Sequence, residues 1–232
     1  MPAKNRVKDY HKGATYHIYN RGIDSKEIFR TDEDYQMWIE LMKRYLGEWS
    51  IKTDDRFKAE RPYILRHKQD MNLYGQVKLF AYCLLPDHFH ILVHQETEIG
   101  ITQMMRRMVT NYVMYFNRKY KRRGVLFENV YRAVLLPDEE TTVWISKFIH
   151  LNPTLKTVKR FGLVETSSVP APEYYMYSSY QNFLKTRTDD WMDTDWVENK
   201  MRELIPGTSD YKSFVEDSYR WRLPDLGKYQ LE

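Results

Sequence analysis

His88, Phe89 and His90 are the residues of this chain whose types and spacing most directly invite chemistry. On a strand, successive side chains alternate between faces, so both imidazoles would stand on one side of a sheet and Phe89 on the other. Two neutral imidazoles placed this way can chelate one cation, or each can serve as a hydrogen-bonding residue across strands. Asp87 precedes His88, where it could orient the ring from behind or sit exposed in a turn. His94 shares the face further along, too far to join the same site easily.

A second run of interest is Trp144-Ile-Ser-Lys-Phe148-Ile-His-Leu-Asn152-Pro153. On a helix, residues 148 and 152 stack one turn apart. The amide oxygen of Asn152 is a competent hard ligand for Mg²⁺ or Mn²⁺, and the same residue is well placed to cap a helix that Pro153 stops. His150 is offset from Phe148 and reads as structural or as a phosphate contact. A third run is cationic: Arg106, Arg107, Arg118, Lys119, Lys121, Arg122, Arg123 and Arg132, with Glu128 the one acid between them. Clustered cations neutralise phosphates and release counterions. Tyr112, Tyr115, Tyr120, Phe127 and Tyr131 are interleaved and could stack on unpaired bases, or pack in a core behind a solvated helix end.

The elements that must position these groups follow from periodicity. Thr15 to Asn20 alternates and is rich in aromatics, which predicts a strand ended by Arg21-Gly22. Thr31 caps a helix with Asp34 in its first turn, and Tyr35, Trp38, Ile39, Met42 and Tyr45 recur at helical spacing. Residues 48–75 are polar and irregular. Gln76 to Leu84 reads as a buried strand, Leu85-Pro86-Asp87 as a turn, and His88 to His94 as the returning strand of a hairpin. Ile101 to Tyr120 forms a helix whose stop is assigned to Gly124. Val125 to Leu136 is extended, and Pro137-Asp-Glu-Glu140 opens a helix that Pro153 ends. The order β-α-β-β-α-β-α predicts an α+β domain over residues 1–155, an antiparallel or mixed sheet with helices packed on it. Residues 156–232 form a smaller helical extension, in which Trp191, Trp196 and Trp221 pack rather than bind.

The 232 residues are 42% hydrophobic, enough for one substantial core and inconsistent with a disordered chain. The net charge of +4 is too small to identify a nucleic-acid partner; its distribution is what points there. The single cysteine, Cys83, precludes an intrachain disulfide and suits a reducing, cytoplasmic setting. The polar N-terminus has no signal-peptide pattern, and no apolar run is long enough for a membrane span.

Taken together, the runs Tyr16-His-Ile-Tyr-Asn-Arg-Gly22, Ala81-Tyr-Cys-Leu-Leu-Pro-Asp-His-Phe-His-Ile-Leu-Val93, Tyr115-Phe-Asn-Arg118, Gly124-Val-Leu-Phe127, Tyr131-Arg-Ala133, Phe148-Ile-His-Leu-Asn-Pro153 and Tyr177-Ser-Ser-Tyr180 resemble the IS200/IS605 single-tyrosine transposases. Within that group they are most similar to the REP-associated tyrosine transposases, which use a HUH endonuclease domain. The resemblance implies a ferredoxin-like α+β fold, and His88, His90 and Asn152 as ligands of a divalent metal, Mg or Mn. It implies single-stranded DNA, folded as a hairpin or palindromic repeat, as partner. Relatives work as monomers and as dimers, so a homodimer is allowed. The family nucleophile is the tyrosine that opens the Ile-His-Leu-Asn-Pro run, and here that position is Phe148. Phenylalanine keeps the ring and lacks the attacking hydroxyl, so no 5′-phosphotyrosine link can form there.

Three accounts fit such a residue: an altered active site that traps bound DNA, a natural derivative that binds without cutting, or takeover by another residue, with Tyr112 and Tyr115 considered. The expected function is strand cleavage and rejoining in DNA transposition, with this chain cleavage-deficient. The alternative is a non-catalytic nucleic-acid-binding or regulatory protein built on the same domain. A metal-dependent hydrolase of small phosphoesters would leave the cationic run unexplained.

Overall fold

A computed structural model of the chain describes residues 10–48, 71–161 and 171–216, with 155–161 as backbone only. Four strands form one antiparallel sheet: β1 (Ala14–Arg21), β2 (Val77–Leu85), β3 (His88–Gln95) and β4 (Arg132–Leu135), in the order β2-β3-β1-β4. With α1 (Asp32–Leu46) between β1 and β2, and α2 (Gly100–Lys119) between β3 and β4, this is the ferredoxin-like arrangement. α3 (Glu139–Phe161) follows, and then the short helices α4 (Tyr180–Phe183), α5 (Thr194–Leu204) and α6 (Tyr211–Glu216).

The alternation of β1 and β3 divides two cores. Tyr16, Ile18, Phe89, Ile91 and Val93 face α1 and α2, where Trp38, Met104, Met108, Tyr112 and Phe116 are buried with them. Ala81, Cys83, Leu85 and Leu92 face the other way and share a core with Ile145, Phe148 and Ile149 of α3 and with Tyr180, Val197, Met201 and Phe214. Trp191 is buried in the first core, and Trp196 stacks on Phe80 at 4.5 Å between ring centroids, so both pack as expected; Trp221 lies outside the described residues.

α1 begins where Thr31 and Asp34 make a reciprocal capping box. Asp34 does more than cap. Its buried carboxylate accepts from the amides of Arg30 and Thr31, from Lys119 Nζ at 2.8 Å, and from the hydroxyls of Tyr115 and Tyr120. Burial alone would raise its pKa, but these donors bring it below the ordinary carboxylate value. It ties α1 to the C-terminal end of α2.

Three local expectations are corrected. α2 is not stopped by Gly124: Lys121 takes the left-handed conformation at φ 49°, and the Arg122 amide reaches back to the Asn117 carbonyl at 2.9 Å, closing the helix three residues earlier. Only Arg132–Leu135 of the stretch 125–136 joins the sheet as a strand. Pro153 does not end α3, which runs through it to Phe161. Proline removes one helical hydrogen bond, at a cost of about 3 kcal/mol, and the buried flank Val143, Ile145, Ile149 and Leu151 outweighs it. Most of the irregular stretch 48–75 lies outside the described residues.

Gly22 is required by close approach. A Cβ there would meet the Lys26 carbonyl oxygen at 2.1 Å. Its amide donates to the Asp87 carbonyl at 2.8 Å, so the end of β1 is fastened to the turn that precedes His88.

Candidate metal centre

The sheet face toward α3 carries Cys83, His90, Tyr19 and Arg132 in one cross-strand row, and Leu85, His88 and Arg21 in the next. α3 brings Phe148 and Asn152 to this face from one helical flank. Asn152 Oδ1 lies 3.4 Å from His88 Nε2, and its Nδ2 lies 3.3 Å from His90 Nε2. The three residues singled out as ligands therefore converge, although 62 and 64 positions separate Asn152 from the two histidines. Asn152 is not a helix cap, because α3 continues past it.

The outer nitrogens are engaged. His88 Nδ1 lies 2.8 Å from Asp87 Oδ1, and His90 Nδ1 lies 2.9 Å from His17 Nε2. A carboxylate only accepts, so His88 carries its proton on Nδ1, and in the neutral ring its Nε2 lone pair faces inward. When His17 accepts through Nε2, His90 is held in the same tautomer. The Nε2 lone pair of His88 and the oxygen of Asn152 are then two acceptors face to face, an arrangement that suits a cation. Ligand atoms about 2.1 Å from a shared ion stand roughly 3 Å apart, close to the separations seen here. Among the described residues no group of three His, Cys, Asp or Glu side chains could hold a metal; what the geometry brings to the two imidazoles is the carboxamide of Asn152.

His17 is fully buried and escaped the sequence reading. Its parity in β1 was visible, but not that β1 would lie beside β3 with Tyr19 opposite His90. His17→Phe keeps a ring of similar size and removes the nitrogen that orients His90. Mn²⁺ affinity, followed by electron paramagnetic resonance titration, is expected to fall roughly 10- to 100-fold. An unchanged affinity would remove His17 from the site.

Phe148 is 4% exposed. It stands edge-on to His90, with ring centroids 5.5 Å apart, and to His17 at 6.1 Å. The ring stands beside the cluster of His88, His90 and Asn152 and has no hydroxyl. Tyr112 and Tyr115 are on the opposite side of the sheet: the Tyr112 hydroxyl donates to the Ile28 carbonyl and Tyr115 to Asp34. Neither is placed to act here. His94 is further along β3, beside Thr15 Oγ1 at 3.1 Å, and burial lowers its pKa. His150 is structural. Its nitrogens lie 2.8 Å from Tyr211 Oη and 2.8 Å from Ser179 Oγ, and full burial pushes its pKa down to about 3.

The cationic run divides. Arg106, Arg118, Lys121, Arg123 and Arg132 are exposed. Arg107 donates to the Met71 carbonyl, Lys119 is held by Asp34 and Glu33, and Arg122 donates to the Val125 carbonyl. Arg132 alone of the run lies in the His90 row. Arg106 and Tyr131 border a separate cavity of about 970 Å³, lined also by Tyr10, Asn20 and Phe127. Tyr131 there accepts from the Tyr10 hydroxyl at 2.9 Å.

Comparison with curated proteins returned no match. A solved structure of a REP-associated tyrosine transposase bound to a REP hairpin is similar at a TM-score of 0.46 and 14% identity, over 82% of this chain and 94% of that one. Residues 59–152 match the family model for IS200-like transposases. That segment, less than half of the chain, spans the hairpin with both histidines, all of α2, and the turn of α3 from Phe148 to Asn152, and over it the chain is similar to IS200-like transposases.

Proposed function

We propose that this chain binds single-stranded DNA, in a hairpin or palindromic repeat, and seats one of its phosphates against a divalent ion held by His88, His90 and Asn152. The observation that carries this reading is the meeting of the two Nε2 atoms and the Asn152 carboxamide beside Phe148. The ion, Mg²⁺ or Mn²⁺, supplies positive charge at a phosphate oxygen. Asp87 and His17 fix the two rings. Arg132 approaches the phosphate from β4, and the exposed Arg106, Arg118, Lys121 and Arg123 neutralise neighbouring phosphates. Arg107 and Arg122 add charge from positions fixed by backbone carbonyls, whereas the charge of Lys119 is taken up by Asp34 and Glu33.

Cleavage requires a hydroxyl where Phe148 stands. Without one, the chain holds DNA without cutting it, and this residue favours the second reading as well: a non-catalytic, regulatory DNA-binding protein on a transposase framework. Among the described residues no helix is long and apolar enough to cross a membrane, and a single buried cysteine, Cys83, suits a cytoplasmic setting.

The test is binding of a labelled hairpin oligonucleotide with Mn²⁺ across a salt series. If about four phosphates are contacted, the log–log slope is expected near −3, a loss of roughly 50-fold in affinity between about 50 and 200 mM salt. Salt-insensitive binding, or hydrolysis of a small phosphomonoester without DNA binding, would sink the proposal.

A further inference from the structure

We propose that Tyr19 grips the substrate phosphate, its hydroxyl donating a hydrogen bond to a non-bridging oxygen while Arg132 supplies the neighbouring positive charge. This rests on the site above being a phosphate site, and it names a residue that the ligand set does not include.

Tyr19 stands between His90 and Arg132 in one cross-strand row. Its ring lies over His90 at 6.0 Å with 26° between the planes, and 5.3 Å from His17. The residue is 8% exposed, and its buried hydroxyl finds no acceptor for its proton among the described residues; Arg132, the polar group beside it, can only donate. Leaving a buried donor unmade is costly, so such groups call for an explanation. Among the described residues the other unpartnered buried side-chain atoms are on Trp38, Thr97 and Asn117, none of them on the strand face that carries the two histidines. Tyr19 is thus the one that borders the metal centre, and a phosphate oxygen would satisfy it.

The placement of the phenol agrees. The Arg132 guanidinium lies 6.0 Å from its ring centroid, so the hydroxyl and a positive charge stand side by side. Arg132 is exposed, so it can meet a phosphate arriving from solvent while Tyr19 receives it from beneath.

Tyr19→Phe tests this, since it keeps the ring against His90 and removes only the unpartnered oxygen. Three probes are used: Mn²⁺ alone, inorganic phosphate added to the Mn²⁺-loaded protein and read by phosphorus NMR line broadening, and a labelled oligothymidylate strand. The variant is expected to keep its Mn²⁺ affinity, to melt no lower than the parent, and to bind phosphate and the strand roughly tenfold more weakly. Equal phosphate affinity in parent and variant overturns the role of Tyr19 and leaves the DNA-binding reading standing. Loss of Mn²⁺ affinity in the variant overturns it too, because the residue would then act on the ligands. A parent that binds neither phosphate nor the strand brings down both proposals. A covalent DNA adduct mapped to Tyr19 would make it the nucleophile and overturn its role as donor.

Discussion

Phe148→Tyr is expected to give a DNA adduct that survives denaturing electrophoresis, where the unaltered chain gives none. The ring already has its place, edge-on to His90 and His17 and nearly buried. Tyrosine changes that ring by one oxygen at its tip. In the restored protein the hydroxyl oxygen would bond to phosphorus, the bond from phosphorus to the 3′ oxygen would break, and a 3′-hydroxyl would leave. The energy of the broken ester is conserved in the phosphotyrosyl ester, so rejoining needs no nucleotide cofactor. Supplying a missing nucleophile to an otherwise assembled site should raise the cleavage rate on the order of 10⁴-fold or more. The measurement is a labelled single-stranded hairpin incubated with Mn²⁺ and each protein. Adduct from the unaltered chain would mean that another residue attacks. No adduct from Phe148→Tyr, with hairpin binding intact, would mean that the bound phosphate does not reach this ring.

A second large effect is expected from the metal itself. Mn²⁺ at about 100 times its Kd should stabilise the folded chain by about 2.7 kcal/mol. At roughly 2–4 °C per kcal/mol for a domain of this size, Tm should rise by about 5–10 °C. Asn152→Ala should abolish the shift, because only two imidazoles then remain among the described donors. Without metal the substitution should cost about 1 kcal/mol, since it removes an oxygen that faces the His88 lone pair but also the Nδ2 that donates to His90 Nε2. His90→Ala should abolish the shift as well and lower Tm even without metal, as it also breaks the buried bond to His17. A full Mn²⁺ shift in Asn152→Ala would show that the ion binds elsewhere.

How much of this was legible varies with the distance over which each feature is decided. β1, β3 and α1 could be placed from alternation, the Gly22 stop and the Thr31 cap, because each depends on neighbours a few residues away. The facing of His88 and His90 followed from strand parity. That Asn152 would meet them did not follow from spacing, since it depends on where α3 lies on the sheet; the resemblance to transposases supplied it. His17 and Tyr19 share parity with each other, yet their nearness to His90 is set by pairing between strands separated by α1 and β2. Pro153 shows a local stop rule overridden by packing. The cationic run shows the limit of counting charges: Asp34, far away in sequence, takes up Lys119, and nothing within residues 106–132 announces it.

The buried bonds of His150 have a further bearing on the site. That ring links α3 to Ser179 and Tyr211, and Tyr211 in turn bonds Ser146 on the same helix. The helix that carries Phe148 and Asn152 is thereby splinted from behind by segments that come after it in the chain. The alignment of Asn152 with His88 and His90 is thus inherited from residues that lie outside this cluster, and shortening or rebuilding the C-terminal helices would detune a site they do not touch.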